Sequence, residues 1–271
     1  MLTILKRFFT RRTKSPSSTS TRLTVERLEA RQVLAATRFD VASAIVNSPE
    51  HFADFITGEY AQFLRRAPDP GGLNFFLGQM EQGMSPEAVE AAFVSSPEYI
   101  LDHGNNMGTW LSGLYNDLLG RTPDVSGFNH WMSRLAAGET PFQIATEFAH
   151  SLERQSIVIS QDYATFLGRT PDPGGMNHFL TLLQMGFTRS FVASDIIAST
   201  EFFQIHGNTD SNFVTAAFTD VLGRTPSPAE LSFFVTQLEM FSVTPSPMVS
   251  PVMFVSPSST LPTPSIVFMS S

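Results

Sequence analysis

Four arginines recur in a chain of 271 residues that holds only 17 Lys and Arg. They are Arg66, Arg121, Arg169 and Arg224, each six positions after an aromatic residue: Tyr60, Tyr115, Tyr163 and Phe218. A guanidinium offers a planar fork to a carboxylate or another anion. Three copies continue into Pro-Asp-x-x-Gly, with Asp69 and Gly72, Asp124 and Gly127, Asp172 and Gly175. A carboxylate beside tight backbone suits either a calcium site or a helix N-cap. The fourth copy, Ser227-Pro228-Ala229-Glu230, favours the cap, because Ser with Glu three residues on forms a capping box and makes a poor hard-cation site. A ligand site is normally unique, whereas a framework residue repeats with its framework. The arginines are therefore expected to hold helix-end carbonyls, or a glutamate of the recurrent Ser-x-Glu block, with buried or half-buried guanidiniums. Arg121 should then matter to stability, and Arg134, outside the motif, much less.

Other chemistry is sparse. With no cysteine there is no disulfide, thiol nucleophile or thiolate-bound metal. The six histidines form no H-E-x-x-H pair, and the nucleophile-elbow, P-loop and dinucleotide-binding glycine patterns are missing. No catalytic residue, cofactor or metal ligand is assigned. A polysaccharide-cleaving enzyme would need two acids roughly 5–10 Å apart in a cleft, and no feature of the sequence selects such a pair.

The elements that must carry these residues are set by repetition. The Ser-x-Glu block falls at Ser48, Ser96, Ser151 and Ser199. From each motif arginine to the next such serine is 30 residues, and from serine to the next arginine 18, 25, 18 and 25. The larger period is thus 103 residues. Apolar residues at steps of three, four and seven mark helical faces, as in Ile56/Tyr60/Phe63/Leu64 and Leu73/Phe76/Leu77/Met80. Prolines 68, 123, 171 and 226 stop the first helix of each unit, and Gly83, Gly138 and Gly186 follow the second. A third helix carries Val41/Ile45, Val89/Phe93, Ile144/Phe148 and Val192/Ile196, each ending just before a Ser-x-Glu block. The expected fold is all-α, in tandem three-helix units of about 48 and 55 residues over 37–100, 101–155, 156–205 and 206–241, with the fourth cut short before its third helix.

The flanks differ from this body. Residues 1–38 carry nine Lys/Arg against two acids, and the remainder eight Arg against 23 acids, with no lysine after Lys14. An acidic body of that kind repels nucleic-acid backbones, so no nucleic-acid partner is expected. No apolar run reaches the length of a transmembrane helix. Residues 242–271 are rich in Ser and Pro and uncharged. They read either as a disordered, stalk-like tail or as the product of a shifted frame.

Two resemblances follow from these motifs. Y-x-x-L-L-G-R-x-P-D-x-x-G with S-x-E-(Y/F) resembles the bacterial repeat family called domain of unknown function 4214, and more distantly the linker domains of phycobilisomes. Val25 to Ala35 resembles the L-E-P-R-x-L-L leader of planctomycete exported proteins, with Ala30 in place of the proline. The leader likeness implies cleavage near residue 36 and an extracellular or cell-envelope location. The repeat likeness implies a helical module of secreted and surface proteins, with no activity to carry over. Departures include Arg65 for glycine and Arg154 for the aromatic after Ser151-Leu-Glu153. The function expected is a non-enzymatic interaction or scaffolding module binding a cell-surface protein or glycan. The alternatives are an enzyme acting on envelope polysaccharide and a calcium-dependent surface adhesin module.

Overall fold

The computed structural model describes residues 38–239, so the basic leader and the Ser/Pro-rich tail lie outside the described residues. Helix α1 spans 38–46. It is followed by α2 (Pro49–Phe63), α3 (Pro70–Glu81), α4 (Pro86–Val94), α5 (Pro97–Asp102), α6 (Met107–Leu119), α7 (Val125–Ala136), α8 (Pro141–His150), α9 (Leu152–Leu167), α10 (Pro173–Gln184), α11 (Arg189–Ala198), α12 (Thr200–Ile205), α13 (Asp210–Leu222) and α14 (Pro228–Glu239). No strand occurs among the described residues. The fold is all-α, built of tandem repeats.

The Ser-x-Glu serines are N-caps. The hydroxyls of Ser48, Ser96, Ser151 and Ser199 accept the N–H groups of His51, Tyr99, Arg154 and Phe202, three residues on. The first helices end on Gly120, Gly168 and Gly223 in left-handed backbone, φ 64–65°. In the first copy Arg65 takes that conformation at φ 53°, a strained position for a residue with a side chain. Thr140 and Gln143 form the full capping box at the start of α8.

The alternating connectors have a structural cause. In the 18-residue spacing one unbroken helix, α2 or α9, runs from the Ser-x-Glu block toward the arginine. In the 25-residue spacing the helix breaks at His103-Gly104-Asn105 and at His206-Gly207-Asn208, where Gly and Asn both have positive φ. An additional short helix, α5 or α12, therefore lies at the junction leading into units two and four, where three helices per unit were expected.

The core divides in two. One cluster is built from α2 to α8, and the other from α9 to α14 together with α1. In the first, α4 packs along α8. In the second, Val41, Ala42, Ile45 and Val46 of α1 join the core that holds Val192, Ile196 and Leu238, and Phe39 meets Phe191 at 5.0 Å. The fourth unit thus gains its third helix from the N-terminal side of the chain. The array closes on itself as two halves related by the 103-residue period.

Candidate functional site

The repeat motif forms a closed set of contacts. Arg66, Arg121, Arg169 and Arg224 hold Glu98, Glu153, Glu201 and Glu50 through two-pronged bonds that start at 2.5 Å from Nε. The last pair spans 174 residues and seals the ring. Each guanidinium also lies 4.8–5.2 Å from the ring centre of Tyr60, Tyr115, Tyr163 or Phe218, a cation–π distance. Bonding to the arginine lowers the pKa of each partner glutamate. These side chains are well exposed, 41% for Arg121 and 43% for Glu153. The guanidiniums thus bond the Ser-x-Glu glutamates, one of the two expected sets of partners, and at 37–41% exposure they are half-buried at most rather than buried.

Asp69, Asp124 and Asp172 serve as N-caps, accepting the N–H of Gly72, Gly127 and Gly175 at 2.8–3.0 Å. Those glycines have a steric reason. A Cβ on any of them would collide with the hydroxyl of Tyr60, Tyr115 or Tyr163. In the fourth copy the tyrosine is Phe218, and the freed position carries Glu230. That residue closes the capping box with Ser227 and bonds Arg224 at 2.8 Å. Its pKa falls to about 2, chiefly through Arg224. Arg134, outside the motif, is ion-paired as well. It holds both Glu139 and Glu147 at 2.5–2.7 Å, a network as rich as any in the motif.

Two features remain open to a partner. The first is a set of rings at equivalent positions of the second helices: Phe75, His130, His178 and Phe233. All four are exposed, Phe75 by 59% and Phe233 by 58%. Each stands nearly edge-on against the next residue, Phe76, Trp131, Phe179 or Phe234, at 4.9–5.2 Å. Three are preceded by an exposed asparagine, Asn74, Asn129 or Asn177.

The second is a cavity of about 270 Å³ where the two halves meet. Its wall pairs residues 103 apart: His51 with Arg154, Phe55 with Val158, Glu59 with Asp162, Pro86 with Arg189, Glu90 with Ala193. The cavity therefore lies on the approximate twofold that relates the halves. Its charges break that symmetry. Glu90, 1% exposed, receives Arg154 at 2.8 Å and Arg189 at 2.7 Å from the other half. Both arginines are also anchored on backbone, Arg154 on the Leu118 carbonyl and Arg189 on that of Ala149. Burial opposes the Glu90 charge, but the two guanidiniums outweigh it and hold the carboxyl below its usual range. Glu59 is pushed the other way. Burial, reinforced by Glu90, lifts its pKa well above the usual range, and its Oε2 has no partner. Asp162 is pushed up to about 7 by burial. Its partial exposure opens on the cavity, which tempers that penalty. Among the described residues no group of three or more His, Asp or Glu gathers as metal ligands.

One family model, described as Domain of unknown function (DUF4214), matches residues 42–103, 91–158, 155–204 and 193–242. The chain belongs to this family. No curated protein and no solved structure matches it. The first DUF4214 match begins inside α1, in keeping with the third-helix role of that element.

Against the DUF4214 pattern, one departure pointed to the cavity. Arg154 replaces the aromatic of the Ser-x-Glu block, and its counterpart in the first block is His51. In the other two blocks that position is Tyr99 or Phe202, fully buried in a core. The ring was given up where the position faces the opposite half. Glu59, Glu87, Glu90, Asp162 and Arg189 gave no such signal, because their partners lie in other units.

Proposed function

We propose that this protein is a non-enzymatic interaction module that acts in the cell envelope or outside the cell, binding a surface protein or glycan. The recurrence of these exposed rings carries this reading. Phe75, His130, His178 and Phe233 stay open to solvent at equivalent positions of the four second helices. An aromatic face with an adjacent amide suits the apolar face and hydroxyls of a sugar, or the side chains of a protein surface. Four weak contacts on one rigid body add up through effective concentration. The motif arginines are meanwhile committed to glutamates. The test compares the parent chain with Phe75→Ala/Phe233→Ala for retention on isolated cell-envelope polysaccharide and on envelope protein. Loss of retention in the variant, with an unchanged melting curve, supports the reading; equal retention, or none by the parent, removes it.

A specific observation favours a second reading. Asp162 near 7 and Glu59 above the usual range share one cavity, and a carboxyl titrating near neutrality can act as a general acid or base. Hydrolysis of envelope polysaccharide by the parent and not by Asp162→Asn would support the enzyme.

A further inference from the structure

The charge count in the cavity is unbalanced. Glu59, Glu87, Glu90 and Asp162 approach it, while the cations beside them are Arg154 and Arg189. Both guanidiniums are committed to Glu90 and to backbone carbonyls. Glu87 accepts the backbone N–H of Arg189 at 3.0 Å through Oε1 and leaves Oε2 unpaired. Glu59 is 94% buried by its 6% exposure, has an unpaired Oε2 and lines the cavity opposite its repeat counterpart Asp162. His51 is the remaining titratable group, and it is turned to the Val221 carbonyl at 3.3 Å. Free capacity at this place is therefore mainly acceptor capacity: the unpaired Oε2 atoms of Glu59 and Glu87 outnumber the one unpaired guanidinium nitrogen, Arg189 Nε, which faces Glu87 Oε1 at 3.7 Å. An anion would meet no free guanidinium fork. Phe55 and Val158 supply an apolar pair across the twofold.

We infer that this cavity binds a small organic cation, a primary alkylammonium whose N–H groups are taken by Glu59 and Asp162 and whose chain lies against Phe55 and Val158. The inference is independent of the exposed rings and goes beyond the surface-binding reading. Burial penalises the charged form of both carboxyls in the empty cavity. The ligand's charge would take the place of the protons they hold, so binding releases protons and strengthens as pH rises through about 7, the Asp162 value. Arg154, Arg189, Glu87, Glu90 and His51 are the other charged or titratable groups facing this pair, from α2, α4, α9 and α11.

The experiment uses the full chain at pH 7, titrated calorimetrically with n-butylammonium chloride, with sodium butyrate and 1-butanol as matched probes and sodium chloride to hold ionic strength. Butylammonium is expected to bind at millimolar concentration or better, with a heat that changes with the ionisation enthalpy of the buffer, and neither matched probe should bind. Glu59→Gln/Asp162→Asn should weaken it at least tenfold, Asp162→Asn alone should weaken it measurably, and Phe75→Ala should not alter it. No saturable heat from the parent, an equal response to butyrate, or full binding by the double variant would each overturn the inference. Unaltered retention on envelope polysaccharide in the double variant would show that the surface reading stands or falls separately.

Discussion

Arg121 and Glu153 meet with about two-fifths of each side chain open to solvent, and three further pairs repeat the arrangement around the ring. Glu90 meets Arg154 and Arg189 once, with 1% of its carboxylate side chain open. Three of the outer pairs tie a unit to itself and the fourth, Arg224–Glu50, ties the last unit to the first, and water and salt screen them all. The inner cluster joins the halves, and each of its charges depends on the others because water cannot replace them. Repetition thus marks contacts that can each be lost cheaply, while the contact that cannot be lost occurs once. A repeated motif was the clearest signal in the sequence, and its ionic links are not where the largest electrostatic consequence lies.

The strongest way to break this contrast is Glu90→Ala. It strands two buried guanidiniums and should cost about 3–5 kcal/mol, read as a lower urea midpoint. A loss below about 1 kcal/mol would mean that the cluster is solvated or readily rearranged. Next comes Glu59→Gln/Asp162→Asn, which should stabilise the fold. Both acids have folded pKa values above the unfolded ones, so each loses stability as pH rises from about 4 toward its folded value and gains it back on acidification. The double variant should therefore be more stable by about 1–3 kcal/mol at pH 8, with no advantage near pH 4. Denaturant melts at the two pH values measure it, and an advantage confined to pH 4 would reverse the sign.

Arg65→Gly relieves the one first-helix terminus where a side chain occupies left-handed backbone, and should add about 1 kcal/mol. Thermal melts that place it below the parent would show that Arg65 makes an offsetting contact. Arg121→Ala is the smallest, at most about 1 kcal/mol and shrinking in 1 M salt, rather than the several expected of a buried guanidinium. Arg134→Ala removes two carboxylate partners and should shift the melting temperature at least as much. A large, salt-insensitive loss for Arg121→Ala would erase the distinction between outer and inner pairs.

Much of the frame was legible because local chemistry writes it. Ser48 and its equivalents sit where N-caps must, and Thr140 with Gln143 announces its own box. The exchange of Gly for Glu230 was readable as capping. Its link to the loss of a hydroxyl at Phe218 was not, since that link runs through space. The long spacings were visible too, but a count of residues does not say that Gly104-Asn105 and Gly207-Asn208 turn left-handed and split off a short helix. Apolar periodicity reports which face is buried and is blind to a buried carboxylate such as Glu90, whose partners lie 64 and 99 residues away. Closure had a trace in the order of the blocks. The series begins with a Ser-x-Glu that lacks a preceding arginine and ends with an arginine that lacks a following Ser-x-Glu. Only the structure joins Glu50 to Arg224.

The docking of α1 into the second core has a consequence for how the molecule is made. During synthesis α1 emerges before every other helix described, yet part of the core it joins, Phe213, Val214 and Leu238, is among the last to appear. The first half, α2 to α8, can condense on local contacts while the chain is still growing. α1 must wait beside it, and the core around Val41, Ala42, Ile45 and Val46 is complete only when α13 and α14 arrive. A chain halted before residue 210 would carry that core only partly covered, as a sticky end open to a neighbouring copy's incomplete half. Ring closure thus sets a deadline: the molecule is safe from self-association only when its last helix is in place.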